Sequence, residues 1–322
     1  MSLLFALLLQ APTLQESAST DLAPEGPWVV KASSTGKFVA LVHLKGVVLL
    51  EIETLKKVKE VEGRWTGLGF DEKDQTLTLA GESMVRYSTA TWEETFRGKL
   101  EGAIPHDTAR DFVIIERDVH PNGGVRLGFG ESLVGRDGTV TYVTQKGGLS
   151  TARVTDGKIA CEKLEFDATV WYAELGVRRI LAGTGPALIV QMEKEARAGV
   201  LLLDRKRVYP LAASDEAIGA ALLGPSVALL CRTDSGVYST RTWKHQGKNP
   251  GNGNVAGTFD PKRSLIWAAR AGSIVAWSVT TPDAELKFAD VKGDYSAMYL
   301  SGDGGVLYAM ERKKLRSWKV KD

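Results

Sequence analysis

The chain has 322 residues, 43% of them hydrophobic and 25% charged, with 41 Lys and Arg against 39 Asp and Glu. This composition belongs to a folded globular protein with room for a large core, and it excludes collagen-like, low-complexity and strongly acidic or basic chains. A formal net charge of +2 gives no general pull toward nucleic acid or an anionic membrane surface.

Residues 2–9, SLLFALLL, form an apolar run shorter than the roughly 20 residues a membrane span needs. The run has the length of a secretory h-region, although no Lys or Arg precedes it, and cleavage after Ala11 or near Ala18-Ser19 would both fit. An N-terminal strand or a misassigned start are the other readings of this run. Residues 12–26 are polar and contain proline, so residues 1–26 are expected to be an export signal followed by a mobile leader. The expected location is periplasmic or secreted, and cytoplasmic if the run is not a signal.

From Trp28 onward no segment shows a helical period with caps, and β patterns follow one another to the end. The first unit holds extended runs at Trp28–Lys31, Phe38–His43 and Val47–Ile52, then an alternating polar run at Lys56–Val61. Continuous apolar runs fit strands buried on both faces, and alternation fits an edge strand with one wet face. The second unit, from Arg64 to Gly102, repeats the first. Val61-Glu62-Gly63 matches Leu100-Glu101-Gly102 and later Val291-Lys292-Gly293, and Gly63 and Gly102 stand 39 residues apart. A period of about 40 residues with four strands per unit predicts the blades of a β-propeller.

Residues 103–124 break the rhythm and are expected to be an insertion or a distorted blade edge. The pattern resumes with VRLGFG, TVTYVTQ, LSTARV and KIACEKLEF. Further units start near Asp167, Leu211, Gly251 and Asp294. The last unit shows only three strands, at Ala297–Leu300, Val306–Met310 and Leu315–Val320, and would take its fourth from the N-terminal segment, which removes an open edge. The predicted fold is therefore all-β, a single propeller over residues 27–322 with seven blades of four-stranded antiparallel sheets. An eighth blade built on 103–124 would leave too few residues between Gly130 and Thr139 for a turn and two strands.

The unit TFDPKRSLIWAARAGSIVAWSV carries the turn-strand-Gly-strand-Trp order of WD-repeat blades, and the chain resembles divergent WD-repeat, YVTN-type and quinoprotein-like propellers over residues 27–322. The diagnostic dipeptides are missing: Trp277-Ser278, Trp318-Lys319, Tyr87-Ser88 and Tyr238-Ser239 stand where Trp-Asp would, and no Gly-His pair precedes a blade. The resemblance therefore implies a fold and transfers no functional residue.

Chemistry is sparse. The four histidines, His43, His106, His120 and His245, have no carboxylate or cysteine at metal-ligand spacing, and Cys161 and Cys231 sit in β runs as small hydrophobes. No metal site, catalytic residue or cofactor is assigned. The first runs of the units, WVVK, WTGLGF, VRLGFG, VWYAEL, AIGAALL, VAGTF and SAMYL, should line a central channel, and Lys31 and Glu174 are their main ionisable groups. The ligand-binding candidates are His106, Asp107, Glu116 and Asp118 in the irregular stretch, with Glu174 at the channel. The clusters Lys56-Lys57-Lys59, Arg205-Lys206-Arg207 and Arg312-Lys313-Lys314-Arg316 lie on separate units and lack interleaved aromatics, so no nucleic-acid surface is expected. Gly247–Gly257 reads as a mobile loop between units, and Trp65, Trp171, Trp267, Trp277 and Trp318 read as core. The expected function is a non-catalytic platform for a protein partner at a loop-built face, with no stable membrane span and no defined oligomeric state. The alternative is a propeller enzyme of the lactonase, hydrolase or quinone-dependent dehydrogenase kind, recognisable by carboxylates or histidines converging at the channel mouth.

Overall fold

The structure is a computed structural model. It describes residues 12–22, 29–33, 35–43, 45–70, 73–81, 83–99, 132–134, 140–143, 148–155, 158–164, 176–184, 187–192, 198–203, 207–211, 217–233, 235–248, 253–282, 284–288 and 291–322. Among the described residues every regular element is a strand.

β1 (Thr13–Asp21) pairs with the last strand of the chain. β2 (Val29–Ala32), β3 (Phe38–His43), β4 (Gly46–Glu51) and β5 (Lys57–Glu62) are hydrogen-bonded in that order into a first antiparallel sheet. β6 (Trp65–Phe70), β7 (Thr76–Gly81), β8 (Ser83–Ser88) and β9 (Glu94–Lys99) make the second. β10 (Ser132–Val134), β11 (Val140–Val143), β12 (Leu149–Thr155) and β13 (Lys158–Lys163) make the third. β14 (Val177–Thr184), β15 (Ala187–Met192), β16 (Ala198–Leu202) and β17 (Arg207–Pro210) make the fourth. β18 (Ala217–Leu223), β19 (Ser226–Cys231), β20 (Gly236–Ser239) and β21 (His245–Lys248) make the fifth. β22 (Ala256–Asp260), β23 (Leu265–Arg270), β24 (Ser273–Ser278) and β25 (Glu285–Phe288) make the sixth. β26 (Tyr295–Leu300), β27 (Val306–Glu311) and β28 (Lys314–Lys321) make the seventh, with β1 as its fourth strand.

The apolar runs explain how the sheets stack. Successive side chains of a strand point to opposite faces. In β19, Val227, Leu229 and Cys231 enter a core cluster with the fourth sheet, while Ala228 and Leu230 enter another with the sixth. In β4, Val47 and Leu49 face the second sheet, while Val48 and Leu50 face the seventh. Further clusters join the third sheet to the fourth and the sixth to the seventh. The first, fourth, fifth, sixth and seventh sheets thus bury both faces against neighbours, as no isolated sheet could. First strands approach one another, β22 beside β18 and β26, and β14 beside β10 and β18, so they form the inner edges of the stack.

One expectation changes. Residues 13–21, assigned to a mobile leader, form β1. Their polar composition misled because β1 is an outermost strand with mostly exposed side chains, anchored by the ladder to β28 from Thr13–Lys321 to Asp21–Lys314. The runs VRLGFG and VWYAEL lie outside the described residues, and the first strands of those sheets are β10 and β14. In β14 two register shifts turn Val177 and Ile180 into the core despite the charged Arg178-Arg179 pair. Cys231 is fully buried in β19 and forms no disulfide.

Arg316 fixes β1 to the sheet. Its Nη2 and Nε donate to the Glu16 carboxylate at 2.6 and 3.1 Å, and its Nη1 donates to the Glu311 carboxylate (3.3 Å), the Lys292 carbonyl (3.2 Å) and the Tyr295 hydroxyl oxygen (3.3 Å). The guanidinium also lies 5.2 Å from the centre of the Trp318 ring. Burial, opposed by Arg316 and aided by Glu311 and Glu16, pushes the Tyr295 hydroxyl up to about 12, so it stays a donor.

Candidate functional site

His106, Asp107, Glu116, Asp118 and Glu174 all lie outside the described residues, as do His120 and Trp171. Among the described residues no three His, Cys, Asp or Glu side chains gather closely enough to hold a metal ion, and no helix is long and apolar enough to cross a membrane.

Antiparallel order gives the stack two ends. One carries the turns between first and second strands and between third and fourth. The other carries the second-third turns and the links between sheets. At the first end the turns are tied sheet to sheet. Arg263 Nη1 donates to the buried carboxylate of Asp260 (2.9 Å) and to the Gly304 carbonyl (2.9 Å), and its Nε donates to Asp322. Gly304 belongs to the β26–β27 turn, where Ser301 donates to Asp303 at 2.5 Å and accepts from the Val306 amide at 2.9 Å. That turn abuts Gly36 of the β2–β3 turn, and Thr35 beside it donates its amide to Asp74 of the β6–β7 turn at 2.9 Å. These contacts tie the sixth sheet to the seventh, the seventh to the first and the first to the second.

The second end is built differently. The link into β22 was expected to be mobile, yet Gly253–Val255 is tied down. Asn254 is buried, with its Nδ2 donating to the Cys231 carbonyl (2.8 Å) and to Ser235 Oγ (3.1 Å). Its Oδ1 accepts from Arg270 Nε at 2.9 Å. Arg270 also reaches Glu285 at 2.5 Å and lies 6.0 Å from the centre of the Trp277 ring. The amides of Gly253 and Asn254 donate to the Arg232 carbonyl, and the Val255 amide to the Ala269 carbonyl. Val255 itself, at 55%, is the most exposed large hydrophobic side chain among the described residues. A β-branched apolar residue is thus held in water by a rigid polar network. No sequence signal marked it, because Gly and Asn in a loop indicate a turn without showing what an amide side chain will meet.

The same end opens into a groove of about 830 Å³ between the first and seventh sheets. Its floor is Leu41, Val48 and Leu50, one wall is Thr20–Leu22 at the end of β1, and its rim carries His43, Lys45, Glu60, Glu62 and Arg64. The lysines of β5 behave as an edge strand predicts, with Lys57 paired to Glu60 at 2.7 Å and Lys59 lying 5.4 Å from the centre of the Tyr87 ring.

No protein-family model matches the sequence, and neither does any curated protein. Solved structures do match. The chain superimposes on the β-propeller domain of Cps50 (Swd1) from Myceliophteria thermophila with a TM-score of 0.59 and 11% identity, over 96% of this chain and 100% of that one. It superimposes on the computationally designed protein Ika8 with a TM-score of 0.62 and 12% identity, over 95% and 99% of the two chains. A chain of the Mitotic Checkpoint Complex gives a TM-score of 0.62 at 10% identity, with 94% of each covered. The fold is that of a β-propeller. At such identities the likeness carries no residue and no activity across.

Proposed function

We propose that the chain is a seven-bladed propeller, each four-stranded sheet a blade, and that it serves as a binding platform for a protein partner. The partner docks on the end that carries the second-third turns and the sheet-to-sheet links. The observation that supports this most is Val255, an apolar side chain held in solvent by a buried network that fixes its loop. Such preorganisation lowers the ordering cost of an interface. At the opposite end Arg263 and Thr35 bond to neighbouring turns, and Asp303 accepts from Ser301 within its own. One of the similar solved chains belongs to a protein assembly, which agrees with this reading.

The test is recovery of a binding partner by the immobilised full chain, with Val255→Arg and Ala90→Arg compared; Ala90 is exposed in the β8–β9 turn at the opposite end. A partner kept by Ala90→Arg and lost by Val255→Arg supports the reading, and the reverse pattern refutes it. The proposal includes export. Cleavage near Ala18-Ser19 would cut β1 in two, so the cut after Ala11 is the one compatible with the closing strand. N-terminal sequencing of the exported protein decides this point.

A further inference from the structure

The end of the stack that presents Val255 carries two cations whose charged groups are committed to nothing. Arg232, in the β19–β20 turn, is exposed, and its carbonyl accepts the amides of Gly253 (2.8 Å) and Asn254 (3.0 Å), the two residues before Val255. Lys292, in the link from β25 to β26, is exposed too, and its carbonyl accepts from the Tyr295 hydroxyl (3.1 Å) and from Arg316 Nη1 (3.2 Å). Both backbones are thus pinned while both charges stay in water. Among the described residues neither side chain has a hydrogen-bond or ion-pair partner. Val255 adjoins Arg232 through its own link. It adjoins the Lys292 link through the next inner strand, since β22 lies beside β26 and Ala256, Val291 and Tyr295 share one core cluster.

The described carboxylates of this region are engaged. Glu285 holds Arg270 at 2.5 Å, Glu311 holds Arg316 at 3.3 Å, and Asp294 lies 3.7 Å from Arg312. Arg270 and Arg316 are half-buried, so a partner's cation that took Glu285 or Glu311 would weaken the pairing of a guanidinium that water cannot fully solvate. A basic segment therefore meets only Asp294, already beside an arginine. An acidic segment meets Arg232 and Lys292 and has no pair to break. Single pairs between exposed charges add little affinity, so the cations act mainly on which segment docks and how fast it arrives.

We infer that the partner segment seated on Val255 is an acidic peptide, with an apolar residue on the Val255 side chain and Asp or Glu residues on either side of it that meet Arg232 and Lys292. This inference rests on the platform reading above and names the chemistry of the partner. Val255 supplies the apolar contact, and the two cations steer acidic segments in and turn basic ones away.

The probe is a phage-displayed library of random peptides selected on the immobilised full chain, with the Val255→Arg protein as counter-selection. The expected peptides bind the full chain, fail on Val255→Arg, and carry Asp or Glu on both sides of an apolar residue. Val255-dependent peptides that are neutral or basic would overturn this inference and leave the platform in place. A selection with no Val255-dependent peptide would remove the platform reading and this inference with it. The leading acidic peptide is then titrated by fluorescence anisotropy. The variant carrying Arg232→Glu and Lys292→Glu keeps both carbonyls, and it should bind at least about tenfold more weakly because like charges then face each other. Lys244→Glu, in the exposed β20–β21 turn at the opposite end, should bind as the unaltered chain does. Raising the salt from about 0.01 to about 0.1 M should weaken binding to the unaltered chain, because the screening length falls from about 30 to about 10 Å. A loss of less than about twofold in the doubly reversed variant would overturn the inference.

Discussion

Replacing Asn254 with alanine should loosen the loop that presents Val255. Asn254 is 1% exposed and makes three side-chain hydrogen bonds. The losses are unequal. The Cys231 carbonyl and Ser235 hydroxyl keep each other at 2.9 Å, so the two Nδ2 bonds together are worth about 1 kcal/mol. Arg270 keeps Glu285 but loses the Asn254 acceptor of its Nε in a site where its side chain is only 14% exposed, and losing a hydrogen bond to a charged group there costs about 1–3 kcal/mol. The sum is about 2–4 kcal/mol of global stability. Guanidinium unfolding measures that sum, and amide hydrogen exchange at Gly253–Val255 measures the local part, which should rise well above the exchange of the rest of β22. Asn254→Asp keeps an acceptor for Arg270 while losing both donors, so it should fall between wild type and alanine. A stability loss below about 0.5 kcal/mol with unchanged exchange would show that the network does not hold the loop, and the argument for a preorganised Val255 would fail.

Three further expectations follow from single positions. Gly36 and Gly272 both have φ of +76°, but an added Cβ meets Ser301 at 2.8 Å in the first and nothing within 4 Å in the second. Gly272→Ala should therefore cost only the left-handed strain of about 1–2 kcal/mol, and Gly36→Ala clearly more, by thermal or denaturant unfolding. Trp277 is fully buried with an Nε1 that has no hydrogen-bond partner, so Trp277→Ala should cost about 3–5 kcal/mol, while Trp277→Phe should cost less than half as much because it also removes the orphaned donor. The Asp303 carboxyl is raised by burial, but hydrogen bonds from Ser301 and from the Gly305 and Asp303 amides, with the Lys262 charge, outweigh this and hold it below the usual carboxylate range. Its folded pKa is depressed, so its contribution is present at neutral pH and is lost as pH falls below about 4. Asp303→Asn should lower stability at pH 7, by an amount that shrinks as the pH falls below about 4.

The architecture was legible because inter-blade packing writes a distinctive pattern. FVALVH and GVVLLE have no polar face, and in the structure their side chains alternate between two core clusters. The borrowed fourth strand of the last sheet was inferred from the shortfall of strands there, and β1 supplies it. The place of β1 was not legible from its own residues. A strand whose side chains mostly face water, TLQESASTD, has the composition of a leader, and only its pairing to β28 distinguishes it. The candidate site was hidden for a related reason. The partners of Asn254 are a carbonyl and a hydroxyl about 20 residues upstream and a guanidinium 16 residues downstream, and no local pattern links them. His106, Asp107, Glu116 and Asp118 drew notice because 103–124 is irregular, and irregularity carries no geometry.

The measurement that tests the platform most directly is site-specific photo-cross-linking in the producing cell, with the reactive residue placed at position 255 and, separately, at position 90. The account predicts one discrete protein adduct from position 255 and none from position 90. Adducts from position 90 alone would place the binding face at the opposite end and contradict it.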